Sequence, residues 1–147
     1  MIRILPMEAG HAAQIAALEK QCFSAPWSEK SVLEELTNPL SLWLVAAEGD
    51  TVAGYIGSQS VLGESDMMNV AVDSAYRRQG IGEKLILALI EGLREKGNHC
   101  LSLEVRASND PAILLYQKLG FSQIGKRPGY YRNPREDALI LRKEWEI

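Results

Sequence analysis

The segment Arg77-Arg78-Gln79-Gly80-Ile81-Gly82 constrains this chain most, because an apolar, strand-like run at residues 67–72 leads into it and a strong helical pattern follows it. A strand, a turn with two glycines and a helix start make an anion site. The first N–H groups of a helix have no partner within it, and the helix dipole places partial positive charge where they point. Phosphate oxygens suit both features. Gly80 and Gly82 lack a Cβ, so a diphosphate can approach the main chain, and Arg77 and Arg78 add charge at the rim.

Spacing separates this loop from two other phosphate loops. A P-loop needs Gly, four residues, then Gly-Lys-Ser/Thr, but Gly82 is followed by Glu83-Lys84-Leu85. A dinucleotide fingerprint needs a small residue three positions after Gly82, where Leu85 stands. Neither fits. A plain strand-to-helix turn, with glycines present only for positive φ, remains open at this point.

The chain has 147 residues, enough for one complete core and too few for two ordinary domains, so a single domain over residues 1–147 is expected. With 46% hydrophobic and 24% charged residues it matches a globular composition, and no apolar run reaches the ~18 residues of a membrane helix. Its first residues meet Pro6 and Glu8 too early for a signal peptide, which makes the cytoplasm the expected location. Cys22 and Cys100 are too few for a disulfide framework and sit in no metal-ligand spacing with His11 or His99, so both are assigned to packing and no metal is expected. Charge is uneven. Residues 1–70 carry three Lys/Arg against nine Asp/Glu, whereas the half that holds the glycine loop carries thirteen against ten. An acidic half suits a cationic acceptor.

A first strand is expected at residues 2–5 and a helix at about 11–21. Ser28 is a plausible N-cap for a second helix, which Asn38-Pro39 stops. Residues 42–47, 52–61 and 66–72 read as strands of an antiparallel meander. The helix after the glycine loop runs to about Lys96 and reads as apolar nearly all round, with Ile81, Leu85, Leu89 and Leu93 at i+4 spacing. Leu101, Leu103 and Val105 alternate with Ser102, Glu104 and Arg106, a strand with one polar face. A further helix starts near Asn109-Asp110-Pro111 and ends at Leu119-Gly120. Residues 121–124 and 138–141 are closing strands. Residues 126–135 read as an irregular loop whose adjacent Tyr130 and Tyr131 line a site.

Acyl transfer from a thioester to an amine needs a neutral amine, a positive site for the oxyanion and a proton for the departing thiolate. Glu104, on the polar strand face, can accept the ammonium proton directly or through water. Tyr116, on the inner stripe of its helix with a phenol pKa of about 10, can protonate a thiolate. Asn109 can cap its helix or bind a pantetheine amide. Removing the proton from a free lysine at pH 7 costs about 4.6 kcal/mol, against about 1 kcal/mol for an α-amine. A single carboxylate with no metal or covalent nucleophile therefore suits a chain terminus better. Cys100 opens a strand without an adjacent base and makes a poor covalent relay.

Arg77, Gly80 and Gly82 fit the R/Q-x-x-G-x-G/A signature of the GNAT acetyltransferases, and the chain resembles that superfamily over nearly its whole length. Within it, the chain resembles the bacterial ribosomal-protein alanine N-acetyltransferases. The marks are Pro26-Trp27-Ser28, Asn69-Val70-Ala71-Val72-Asp73, Tyr76-Arg77-Arg78-Gln79-Gly80-Ile81-Gly82, and Leu103-Glu104-Val105-Arg106-Ala107-Ser108-Asn109. Ala112-Ile113-Leu114-Leu115-Tyr116, Leu119-Gly120-Phe121, Tyr130-Tyr131 and Arg135-Glu136-Asp137-Ala138 complete them. The resemblance implies an α/β fold whose mixed, mostly antiparallel sheet is splayed between the strands of Val72 and Glu104, with flanking helices and acetyl-coenzyme A in the gap. By the same resemblance Val70, Ala71 and Val72 hold the thioester and pantetheine, and Arg78, Gln79, Gly80, Ile81, Gly82 and Glu83 hold the diphosphate. Asn109 and Tyr116 touch the cofactor, with Glu104 as general base and Tyr116 as general acid. Glu83 departs from the pattern, since many relatives carry a basic or neutral residue there, and its carboxylate is expected to point away from the phosphates.

The acceptor implied is the N-terminal alanine of a small-subunit ribosomal protein with a basic segment, with no membrane and no direct nucleic-acid contact. Trp27, Tyr130 and Tyr131 are expected to line its groove, and Glu34, Glu35, Glu64 or Asp66 to attract its cationic tail. Acetylation of a lysine side chain or small amine is the nearest alternative reading, and a non-catalytic acyl-coenzyme A module a second. The pairing of Glu104 with Tyr116 argues against the latter.

Overall fold

The computed structural model describes residues 1–146. Strand β1 (Arg3–Pro6) leads to helices α1 (Ala12–Cys22) and α2 (Glu29–Glu35), and three strands follow: β2 (Ser41–Glu48), β3 (Thr51–Val61) and β4 (Glu64–Val72). Helix α3 (Ile81–Glu95), strand β5 (Cys100–Arg106), helix α4 (Asp110–Lys118) and strands β6 (Ser122–Tyr131) and β7 (Glu136–Glu144) complete the chain. All seven strands form one sheet in the order β1-β2-β3-β4-β5-β7-β6. Every neighbour is antiparallel except β4 and β5.

That parallel pair makes the crevice. It is held only at Glu64 with Cys100, Ser65 with Leu101 and Asp66 with Ser102, so β4 and β5 part beyond these residues. The main-chain groups of β4 that would have continued the ladder face the opening. Where the pairing of β3 with β4 slips, between Gly57 and Ser58, Met68 is the extra residue on β4.

The two faces of the sheet carry separate cores. On one, Ile81, Leu85, Ile86, Leu89, Ile90 and Leu93 of α3 pack with Leu101, Leu103, Val105, Tyr116, Phe121 and Leu141. Burying each such large aliphatic side chain contributes about 1.5–3 kcal/mol. On the other, Ala12, Ile15 and Leu18 of α1 and Val32 of α2 cover Trp43, Val45, Tyr55 and Ala71. The Trp43 ring lies so close over β3 that a Cβ at Gly57 would come within 2.3 Å of it. Only glycine fits there. Trp43 stacks on Tyr55 with centroids 5.8 Å apart, and the tilted Trp27 ring lies 5.3 Å from it.

Two expectations are corrected. Helix α3 is not apolar all round: its buried residues form one stripe, and Leu87 is 49% exposed on the other side. Residues 126–131 are not a loop, because β6 runs through to Tyr131 along β7. As β6 is the edge of the sheet, the missing N–H of Pro128 costs no ladder bond, and the register skips between Arg127 and Tyr131 to absorb Pro128 and Gly129.

Candidate active site

Helix α3 begins without a side-chain cap. Its neighbours differ, for Ser28 caps α2 by accepting from the Ser31 N–H at 3.1 Å and Asn109 caps α4 by accepting from the Ala112 N–H at 3.3 Å. The leading N–H groups of α3 are thus left for an anion. The loop before them turns through two left-handed residues, Arg78 at φ 66° and Gly80 at φ 74°. Arg78 takes that conformation despite its Cβ, a strained choice that turns the main chain beneath the helix end. At Gly82 an added Cβ would meet nothing closer than Val72 Cγ2 at 4.0 Å, so the backbone there borders open space. The cleft over this loop, about 300 Å³, is lined by Val72, Tyr76, Arg77, Arg78, Gly80, Ile81, Gly82, Glu83, Leu115 and Lys118. The lining sets main-chain amides and the cations Arg77, Arg78 and Lys118 beside apolar Val72, Ile81 and Leu115 and the carboxylate of Glu83. Glu83 turns its carboxylate to α4, where Lys118 Nζ donates to it at 2.8 Å.

Along β4, Val70 and Val72 pack toward the α3 face and Ala71 toward the α1 face, so the strand presents its backbone edge to the crevice. Across the gap, Glu104 stands on the α1 face of β5, opposite in direction to Leu103 and Val105. Arg127 Nε donates to Glu104 Oε1 at 3.2 Å. The Glu104 carboxylate, within reach of the Tyr130 hydroxyl, raises that phenol above the ordinary tyrosine range. Burial first, and the Glu104 charge second, push Tyr131 up to about 12. Asp66, the nearest strand neighbour on β4, is raised by burial, then by Glu104 and Glu64.

Tyr116 occupies the other face. Its ring meets Phe121 edge-on at 5.5 Å, and it is 6% exposed. Burial pushes its phenol up to about 12, with Tyr131 adding to the shift. It therefore keeps its proton throughout the neutral range. The sheet thus carries a carboxylate on one face and a protonated phenol on the other. That arrangement suits a proton acceptor for an amine arriving from one side and a proton donor for a leaving group held on the other.

Arg106 fixes the wall beyond Glu104. Its guanidinium lies 4.4 Å over the Tyr131 ring and donates to Pro134 O at 2.9 Å, Arg132 O at 3.1 Å and Glu136 at 3.4 Å. Glu136 in turn accepts from the Ser108 N–H at 2.7 Å. The opposite wall hangs on Glu19, which the sequence reading passed over. This carboxylate is 1% exposed and accepts from the Trp27 N–H at 2.8 Å, the Asn69 amide at 3.0 Å and the Tyr55 hydroxyl. Burial raises its pKa. A signal existed, since Glu19 lies on the stripe of Ile15 and Leu18, and a charge on a buried helix stripe needs partners.

Of the acidic residues expected to draw a basic tail, Glu35 is excluded: it is buried and accepts from Ser41, Gln59 and Asn38. Glu64 is paired with Arg142 at 3.2 Å. Trp27 is half-buried against Trp43, while Tyr130 is 52% exposed. Among the described residues, no three His, Cys, Asp or Glu side chains gather as metal ligands would, and no helix is long and apolar enough to cross a membrane.

The model of the acetyltransferase (GNAT) family matches residues 12–121. The chain belongs to this family. The match runs from α1 through the glycine loop and crevice to Phe121. The chain is also 40% identical over 125 residues to a putative [ribosomal protein bS18]-alanine N-acetyltransferase of Bacillus subtilis, covering 84% of this chain and 83% of that protein. It is 39% identical over 126 residues to the [ribosomal protein bS18]-alanine N-acetyltransferase of Escherichia coli K12, covering 84% of each. The crystal structure of the ribosomal-protein-S18-alanine N-acetyltransferase from E. coli superposes with a TM-score of 0.91 at 35% identity, covering 100% of this chain and 96% of the other. The splayed sheet expected from the family resemblance is the architecture found here.

Proposed function

We propose that this chain, as one domain over residues 1–147, transfers the acetyl group of acetyl-coenzyme A to the N-terminal α-amine of a cytoplasmic ribosomal protein. The acceptor is an N-terminal alanine of the bS18 kind, in keeping with the names of its relatives. The observation that carries the reading is the uncapped, glycine-bordered start of α3 beside the point where β4 and β5 part, and the reading is supported by Glu104 on the α1 face of β5 and Tyr116 on the α3 side.

The N–H groups that open α3 bind the diphosphate, with Arg77 and Arg78 at the rim and Glu83 drawn aside by Lys118. Residues Val70, Ala71 and Val72 offer the free edge of β4 to the amide-bearing arm, and Asn109, its Oδ1 engaged in the α4 cap, has its amide nitrogen left to contact it. Acetyl-coenzyme A bound there supplies the activated acyl group and a thiol leaving group. Glu104 takes one proton from the acceptor's ammonium, directly or through one water, freeing the nitrogen lone pair to form the new C–N bond. As the tetrahedral adduct collapses and the C–S bond breaks, Tyr116 gives its proton to the sulfur and the nitrogen sheds its second proton to solvent; solvent then takes the proton from Glu104 and returns one to Tyr116. Trp27, Tyr130 and Tyr131 form the walls that receive the terminal residue.

Glu104→Gln tests this directly. It is expected to bind coenzyme A as the parent does and to lose turnover on an alanine-terminated peptide by about a hundredfold or more. A variant that acetylates as fast as the parent from pH 6 to 9 removes Glu104 as the base.

A further inference from the structure

Arg127 has no part in the chemistry above, yet its guanidinium stands among the groups that would receive the amine. Its Nε donates to Glu104 Oε1 at 3.2 Å, and its guanidinium carbon is 5.9 Å from the centroid of the Tyr130 ring. A carboxylate and a tyrosine that both approach one guanidinium also offer an α-ammonium the two kinds of partner it needs. Two arginines of this wall are built differently. Arg106 is held by two main-chain carbonyls, by Glu136 and by the Tyr131 ring, so it stays. Arg127 makes no other side-chain hydrogen bond among the described residues.

Its position favours departure. The side chain springs from the edge strand β6 at the point where the register skips, and it is 55% exposed against 29% for Glu104. Arg127 thus reaches Glu104 from the more exposed side, and water can solvate the guanidinium once it swings away. Replacement from within the protein is not at hand, because Arg142, the other cation near Asp66, is tied to Glu64 at 3.2 Å and Glu144 at 3.3 Å.

We propose that Arg127 is a stand-in for the acceptor's ammonium, occupying the cation site between Glu104 and Tyr130 until the incoming α-ammonium displaces it. The inference rests on the reading that the acceptor's amine is received at Glu104. One cation leaves as another enters, so the Glu104 carboxylate is never left without a counter-charge in the crevice, and an acceptor that arrives uncharged gains nothing from the exchange. An ion pair as exposed as this resists displacement by no more than about fivefold. Arg127 therefore sets acceptor affinity within that range.

The test compares Arg127→Gln and Arg127→Lys with the parent at low salt, using an alanine-terminated peptide. Arg127→Gln is expected to lower the peptide KM by about threefold to fivefold and to leave the acetyl-coenzyme A KM unchanged. Arg127→Lys, which restores a displaceable cation, keeps a KM close to the parent's. Ethylguanidinium should compete with the peptide, and at lower concentration in Arg127→Gln. A peptide KM that rises or stays constant in Arg127→Gln overturns the proposal, as does ethylguanidinium that fails to compete. Calorimetry of peptide binding in the Glu104→Gln background separates this from the role of the base: there the Arg127 substitution should no longer change affinity, and a persisting change overturns the proposal. Should Glu104→Gln retain turnover while the Arg127 effect still depends on Glu104, the base assignment fails and the cation site stands.

Discussion

At the α3 end of the crevice the ligand-facing groups are main-chain N–H groups beside Gly80 and Gly82, with no side chain capping them. At the β5–β6 end they are side chains already engaged with one another: Glu104 with Arg127, and Tyr131 with Arg106. The first end is preorganised for any group that bears phosphate, since backbone donors neither titrate nor rotate away. On the proposed reading the second exchanges partners when its ligand arrives. Binding of the shared donor can therefore be generic to the fold, whereas the choice of acceptor depends on which internal contacts are given up.

Substitutions can sharpen or break this contrast. Tyr116→Phe keeps the ring packed on Phe121 but removes the proton donor, and kcat is expected to fall by about a hundredfold with coenzyme A affinity nearly unchanged. Because burial holds the phenol at about 12, the parent's rate should rise with pH as the acceptor amine loses its proton and should not fall again until pH approaches that value. An alkaline decline well below it, absent in Tyr116→Phe, would instead show a phenol that titrates normally. A smaller change is expected at the phosphate end. Glu83→Arg removes the carboxylate paired with Lys118 and adds a cation to the cleft, so coenzyme A should bind about threefold to tenfold more tightly at low ionic strength, less so as salt is added. Equal or weaker binding in a titration would place the diphosphate elsewhere and dissolve the contrast.

The same division governs what could be read from the chain alone. The glycine loop and the helix behind it are local features, in which a positive-φ glycine and a 3.6-residue period suffice, so the turn and the helix at that end were legible. So were the meander and the alternation that puts Glu104 on a polar face. Strand β6 was not, because Pro128 and Gly129 carry turn chemistry, and only its pairing with β7 at the sheet edge makes them part of a strand. The ion pair of Glu104 with Arg127 spans 23 residues of sequence and follows from that same pairing, so no spacing rule could have found it. Glu35 misled in the opposite sense: a surface-like charge in the sequence, it is buried by the meeting of α2 with β2 and β3.

The most direct measurement is mass spectrometry of one peptide that carries both an N-terminal alanine and an internal lysine, incubated with the protein and acetyl-coenzyme A. Acetylation at the α-amine, with the lysine unmodified, is the predicted result. Modification of the lysine first, or of neither amine, would contradict the assignment of this crevice to chain termini.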